Sequence, residues 1–217
     1  MTDITHNQRI VSQFTRWAKP FAELPIHAEA DAMARTLAAC ALAPDLSVLD
    51  VACGPGILAC AMAGQVGHVT GIDITPAMIA QAQARQTAYG LANVAWRIGD
   101  ATALPFPDDC FDRLTTRYSF HHMPDPAEVL AEMVRVCRPG GRIIVIDATP
   151  SPETQRAYDE RERLRDPSHT SALTLDELRR IGRAAGLEEV TVDGYRLEAQ
   201  LDTLAAVSYT HLTLPTK

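Results

Sequence analysis

Asp50, Asp73 and Asp100 each close or interrupt a short apolar run and each has glycine nearby. Residues Val48 to Gly56 read V-L-D-V-A-C-G-P-G, a short buried strand that carries Asp50 and runs into a Gly-Pro-Gly loop. The apolar stretch I-L-A-C-A-M-A follows, with Gly64 placed to end a helix. A strand, a glycine loop and a helix N-terminus form a cradle for a nucleotide-like ligand. Glycine lets the backbone approach closely, and free N–H groups point at the ligand. A carboxylate in a buried strand is costly unless hydrogen-bonded. Asp50 therefore braces the loop or meets a cationic group of the ligand.

Gly54, Gly56 and Ala59 satisfy the G-x-G-x-x-A dinucleotide fingerprint, which is weak alone. The run H-V-T-G-I-D-I-T predicts a second strand ending in Asp73, 19 residues after Gly54. That spacing suits a carboxylate on ribose hydroxyls. Trp96 to Ala101, W-R-I-G-D-A, predicts a third strand running into Gly99-Asp100-Ala101. An acid there can accept a hydrogen bond from an adenine amino group, a contact that a dinucleotide enzyme does not need.

Together these residues resemble the class I S-adenosylmethionine-dependent methyltransferases. V-L-D-V-A-C-G-P-G matches the first motif of that class, G-I-D-I-T the ribose acid, and G-D-A with L-P-F the adenine side. Phe111 to Met123 looks like the fourth strand and its exit loop, and Arg138 to Asp147 like the turn and fifth strand. The ordered resemblance runs over residues 25 to 195. His121-His122 and E-R-L-R-D-P-S-H, Glu162 to His169, look most like the branch with ubiquinone and menaquinone biosynthesis enzymes. The resemblance implies S-adenosylmethionine as cofactor and a small-molecule methyl acceptor as partner. It implies that Asp50, Ala52, Gly54, Gly56, Asp73, Ile74, Met78, Gly99, Asp100 and Ala101 bind the cofactor.

Such chemistry needs little from the protein beyond orientation and exclusion of water, and proximity alone supplies ~7–11 kcal/mol. A general base is needed only where the acceptor must lose a proton. Ligands of such sheets bind outside the strand carboxyl ends, which selects Arg117, Tyr118, His121 and His122. His122 and Tyr118 are the catalytic candidates, and Arg117 and His121 the acceptor-binding ones. His122 is a base or a hydrogen-bonding partner of the loop. The second is favoured, because a lone histidine needs a partner to become a base. Tyr118 orients the acceptor or packs. Arg117 attracts an anionic acceptor or pairs with a loop acid. Asp147 and His169 are weaker candidates. No metal-ligand constellation appears.

Alternating strand and helix signals predict an α/β fold, a doubly wound, Rossmann-like, mostly parallel sheet with helices on both faces. Helices are expected over His27–Leu42, with Met33, Leu37 and Ala41 on one stripe, and after Thr75 and Asp125 as caps. The helix after Asp125 should bury Val129, Leu130, Met133, Val134 and Cys137. Thr174 with Glu177 forms a capping box, with Leu173 and Leu178 as its staple. Residues 7 to 24 form an amphipathic helix or helix pair that packs on the domain or, as the resemblance implies, closes over the site. Glu153–Arg165 should be a helix whose Asp159–Arg163 pair faces solvent.

One methyltransferase domain is expected over 1–206: lid helices 1–24, a cofactor core 25–150, and an acceptor-side and sixth-strand region 151–206. A last strand falls near Glu189–Leu197. The seventh strand of the class is expected to be missing through C-terminal truncation, with 207–217 a non-native tail. A net charge of −7 argues against a nucleic-acid partner. No apolar run approaches the ~20 residues of a membrane span, and the polar N-terminus suggests the cytoplasm. The five cysteines form no C-x-x-C pair and are expected as reduced thiols. Oligomeric state is not encoded legibly. Two alternatives remain: an NAD-type oxidoreductase, disfavoured by Asp50, Asp100 and the lack of a Tyr-x-x-x-Lys pair, and a non-catalytic cofactor-binding protein.

Overall fold

In the computed structural model, which describes residues 4–24, 29–187 and 191–195, β1 (Ser47–Val51) lies at the centre of the sheet. It pairs in parallel with β2 (His68–Asp73) on one side and β4 (Phe111–Arg117) on the other. β3 (Val94–Ile98) extends the first side and β5 (Cys137–Ile146) the second, giving the order β3-β2-β1-β4-β5 with every pairing parallel. The order reverses between β1 and β4. The crevice beyond the strand carboxyl ends at such a switch point is where open α/β sheets bind ligands.

Period-2 alternation sends the residues of β1 to two cores. Leu49 and Val51 join one cluster with Leu114, Phe120, Val129 and Met133. Val48 joins the other, with Leu58, Met62 and Val69. The first cluster is covered by α5 (Pro126–Val136) and α7 (Leu175–Ala184), the second by α2 (Ala30–Cys40) and α3 (Ile57–Ala63). Asp50 shares the face of Val48 and is 2% exposed.

The expected caps at Asp125 and Thr174 form. Asp125 accepts from the N–H groups of Ala127 and Glu128, and Thr174 and Glu177 close a reciprocal box with Leu173 and Leu178 against the core. Thr75 starts α4 (Pro76–Ala88) but makes no side-chain cap bond; Asp73 accepts the Thr75 N–H instead. Ala41 is exposed in a left-handed cap rather than on the buried stripe of α2, because the chain must turn there to enter β1. Val136 replaces Val134 and Cys137 as the last fully buried position of α5, since the strand begins at Cys137.

α1 (His6–Ala22) is one helix among the described residues and packs against α4. α6 (Gln155–Arg165) does not present Asp159 to solvent. Asp159 is buried and accepts from His169 Nε2 at 2.7 Å, Ser171 Oγ at 2.7 Å and Ala172 N–H at 2.9 Å. Three close donors outweigh the 3.9 Å contact with Arg163. Residues 191–195 have no strand geometry. The rest of the expected last strand, the start of the expected His27–Leu42 helix and the 207–217 tail lie outside the described residues. Among those described, no helix is long and apolar enough to cross a membrane.

Candidate active site

The carboxyl ends of β1 to β4 open on one cavity of about 150 Å³, partly roofed by Ile10, Phe14 and Phe21 of α1. Two non-glycine residues at its edge, Ala52 after β1 and Tyr118 after β4, have φ of 53° and 55°. Such left-handed positions cost ~1–3 kcal/mol and persist where the surroundings enforce them. The strands therefore end in sharp turns that aim the following loops into the crevice.

The glycine loop divides its labour. At Gly54, φ is +52° and a Cβ would meet nothing within 4 Å, so its backbone is open towards the cavity. At Gly56, φ is +72° and a Cβ would lie 2.5 Å from Trp96 and 2.8 Å from Ala82. Gly56 thus lets α3 pack closely, and it is not among the cavity-lining residues.

Asp73 braces this loop with both oxygens: Oδ2 accepts the Gly54 N–H at 2.9 Å and Oδ1 the Thr75 N–H at 2.8 Å. Burial still raises its pKa, against the pull of those bonds. Each oxygen keeps further acceptor capacity towards the cavity. Asp50 differs. Its Oδ1 accepts from Thr115 Oγ1 at 2.7 Å, while Oδ2 is buried with no partner. Burial pushes its pKa up to about 7, although Thr115 and the Arg117 charge oppose the rise. Asp100 accepts from Thr102 through Oδ1 and from Asn7 Nδ2 of α1 through Oδ2, at 2.7 Å. Ala52, Ile74, Met78, Gly99 and Ala101 complete this side.

Across the cavity stand Arg117, Tyr118 and His122. The Arg117 guanidinium lies 4.7 Å from the Tyr118 ring centre, and Tyr118 Oη is 2.8 Å from Tyr195 Oη. His122 is 9% exposed. Ser168 Oγ donates to Asp166 at 2.5 Å, which leaves it to accept from His122 Nδ1–H at 3.1 Å. Burial and the neighbouring His121 lower the His122 pKa to about 3, so its ring stays neutral. His6 Nε2 donates to the His122 carbonyl at 2.6 Å, and Phe14 packs edge-on against the His122 ring at 5.1 Å. These contacts fasten α1 over the cavity.

His121 is not among the cavity-lining residues. Its Nδ1 donates to Asp147 at 2.5 Å and its N–H to the same carboxylate at 3.1 Å. Burial disfavours the His121 cation, but the charge and hydrogen bond of Asp147 together with the charges of Glu162 and Asp166 outweigh it and raise the pKa; Asp147 is lowered in turn. Thr170 donates to the carbonyls of His121 and Met123, clamping the same turn from the other side. The sequence carries no signal for Asn7 or Tyr195 at the site, marks Thr75 only as a helix cap, and shows Asp166 and Ser168 only as part of the Glu162–His169 segment. Asn7 and Asp100 are 93 positions apart, and no local pattern connects them.

The comparisons with known proteins agree with this geometry. A methyltransferase-domain family matches residues 49–145. YcgJ, an uncharacterized methyltransferase of Bacillus subtilis, is 30% identical over 192 residues, 88% of this chain and 76% of that protein. The chain belongs to the methyltransferase-domain family. The YcgJ crystal structure matches with a TM-score of 0.76 at 31% identity, over 80% of this chain and 75% of that one. The ubiquinone/menaquinone biosynthesis C-methyltransferase UbiE of Roseobacter denitrificans is 38% identical over 52% of this chain and 47% of its own length. A demethylmenaquinone methyltransferase of Listeria monocytogenes is 40% identical over 48% of this chain and 45% of its own length. The chain thus spans about half the length of those two relatives.

This methyltransferase is of class I and uses S-adenosylmethionine. Among its described residues, no group of His, Cys, Asp or Glu is arranged to hold a metal ion. Cys53, one of the residues lining the cavity, is a free buried thiol whose pKa burial raises well above the ordinary value.

Proposed function

We propose that this methyltransferase acts on a small molecule with a flat apolar body, which enters between α1 and the loop after β4. The observation that carries the reading is Asp50 Oδ2, a buried carboxylate oxygen without a partner on the wall of the cavity. Leaving such an atom unpaired is costly; an ammonium group offsets that cost. Asp50 would hold the amino group of the cofactor's methionine end. Asp73 would hold the ribose hydroxyls while bracing Gly54. Asp100, Gly99 and Ala101 would meet the adenine edge, with Ile74 and Met78 on its faces. Gly56 serves the cradle through packing.

Bound S-adenosylmethionine supplies a methyl group on a cationic sulfur, activated for in-line displacement. The chain's part is then to orient and to dry the site. α1 excludes water, anchored by His6 and Asn7. Tyr118 and Arg117 orient the acceptor. His121, tied to Asp147, acts through the loop it holds. His122, with a pKa near 3, is too weak a base to draw a proton at neutral pH. Its role is to hold the loop and α1. The quinone-related names of UbiE and its Listeria counterpart support a ring-bearing acceptor.

Thermal shift and turnover test this. S-adenosylmethionine should raise the melting temperature while NAD does not. S-adenosylhomocysteine should form with one or more of a panel of hydroxyarenes. Equal stabilisation by NAD, or binding with no turnover across the panel, would favour the oxidoreductase or the non-catalytic reading.

A further inference from the structure

We infer that Tyr195 is a positioning residue of the acceptor site: it is not itself in the cavity lining, but its hydroxyl holds that of Tyr118, which with Arg117 receives an anionic oxygen of the acceptor. The inference rests on the methyl-transfer reading above and adds the charge of the acceptor and a residue 77 positions from Tyr118.

Two phenols 2.8 Å apart share one hydrogen bond, and the hydroxyl that accepts it keeps its own hydrogen to donate. The pair is therefore a donor whichever way it is oriented. Burial and the bond to Tyr118 push the Tyr195 phenol up, so it remains protonated at neutral pH; the charge of Arg117 and its hydrogen bond to Tyr195 oppose that rise. The Tyr118 ring is fixed. Its N–H donates to the Ile146 carbonyl at 2.7 Å, its φ is 55°, and the guanidinium lies against one face. Ring and hydroxyl are held rather than free to swing.

Charge places the anion. The cavity is lined by Asp50, Asp73, Asp100 and Asp125, and Arg117 is the one Lys or Arg among the described residues lining it. An anionic group is repelled from the β1–β3 side and meets its cation and its O–H donors together only here. Phe14, Met123 and Pro124 supply the apolar walls for the body that carries it. The ligand class is a ring compound bearing a phenolate or a carboxylate.

The test uses the full chain saturated with S-adenosylhomocysteine and titrated with 2-naphthoate, 2-naphthol and 2-naphthamide. Wild type should bind 2-naphthoate about tenfold or more tightly than the amide. Its affinity for 2-naphthol should rise with pH. Y195F should lose about tenfold for 2-naphthoate, flatten the 2-naphthol pH dependence, weaken 2-naphthamide less than 2-naphthoate, and leave S-adenosylhomocysteine unchanged. Tightening of 2-naphthol with pH identifies a phenolate as a ligand; binding of 2-naphthoate alone identifies a carboxylate. Equal wild-type affinity for acid and amide, no binding of any probe, or an equal loss of all three in Y195F overturns the proposal. Failure of S-adenosylhomocysteine itself to bind wild type would instead sink the methyl-transfer reading.

Discussion

Along the ends of β1, β2 and β3 the cavity wall is carboxylate and backbone N–H; across it, after β4, the wall is arginine, tyrosine and a neutral histidine. The first side is built from neighbours in the chain. Asp73 bonds Thr75 two residues on and Gly54 in the adjacent loop, so strand, glycine turn and acid form one braced unit. The second side is built from distant partners: His122 with Ser168, His121 with Asp147, Tyr118 with Tyr195. A cofactor common to many enzymes can be held by a local, rigid motif. An acceptor that differs between enzymes falls where loops from separate segments meet, and such loops can vary without disturbing the cradle.

Asp73→Ala should break the first side most severely. It removes the carboxylate that accepts from two backbone N–H groups and the proposed ribose contact, weakening S-adenosylmethionine by roughly 1.5–3 kcal/mol, about 10- to 100-fold. Calorimetry checks this, and an unchanged dissociation constant in a folded variant refutes the ribose assignment. Asp100→Ala should cost about tenfold or less, because Asp100 is half-buried and shared with Thr102 and Asn7. A cofactor fragment without adenine should be nearly indifferent to it; equal loss for both ligands points to general damage.

Asp50 sharpens the comparison through pH. Its folded-state pKa, about 7, lies above that of an unfolded aspartate, ~3.9. The protonated form is thus favoured in the empty cavity, and its contribution to stability, complete below the unfolded value, is lost as pH rises through 7. A cationic ligand selects the ionised form. Cofactor affinity should therefore increase about eightfold from pH 6 to 7.5, and Asp50→Asn should abolish that slope. A flat wild-type profile contradicts the ammonium contact. The smallest effect belongs to the second side. His122→Ala should lower turnover about threefold, leave cofactor affinity within about twofold, and preserve the pH–rate profile, since a pKa near 3 lies outside the working range. Loss of a limb near pH 6 to 7 would return His122 to the role of base.

Legibility in the sequence follows the same division. The strands carrying Asp50, Asp73 and Asp100 announce themselves through continuous apolar runs punctuated by glycine, as buried parallel strands do. The capping boxes are equally local. Gly56 was legible as a required glycine, but its reason, the Trp96 indole against α3, depends on tertiary packing. Asp159 read as half of an i,i+4 surface pair because helix periodicity says nothing about the 169–172 segment that folds back onto it. The His121-His122 and R-D-P-S-H segments stood out as separate features. That one clamps the other requires a contact across 46 positions, which no spacing rule supplies.

Paired titrations of S-adenosylhomocysteine and 2-naphthoate into Asp73→Ala and Tyr118→Phe test the division of the cavity most directly. Asp73→Ala should weaken S-adenosylhomocysteine about tenfold or more and leave 2-naphthoate, measured at saturating S-adenosylhomocysteine, nearly unchanged. Tyr118→Phe should do the reverse. If either substitution in a folded chain weakens both ligands to the same degree, the two ends of the cavity are not separate sites and the account is wrong.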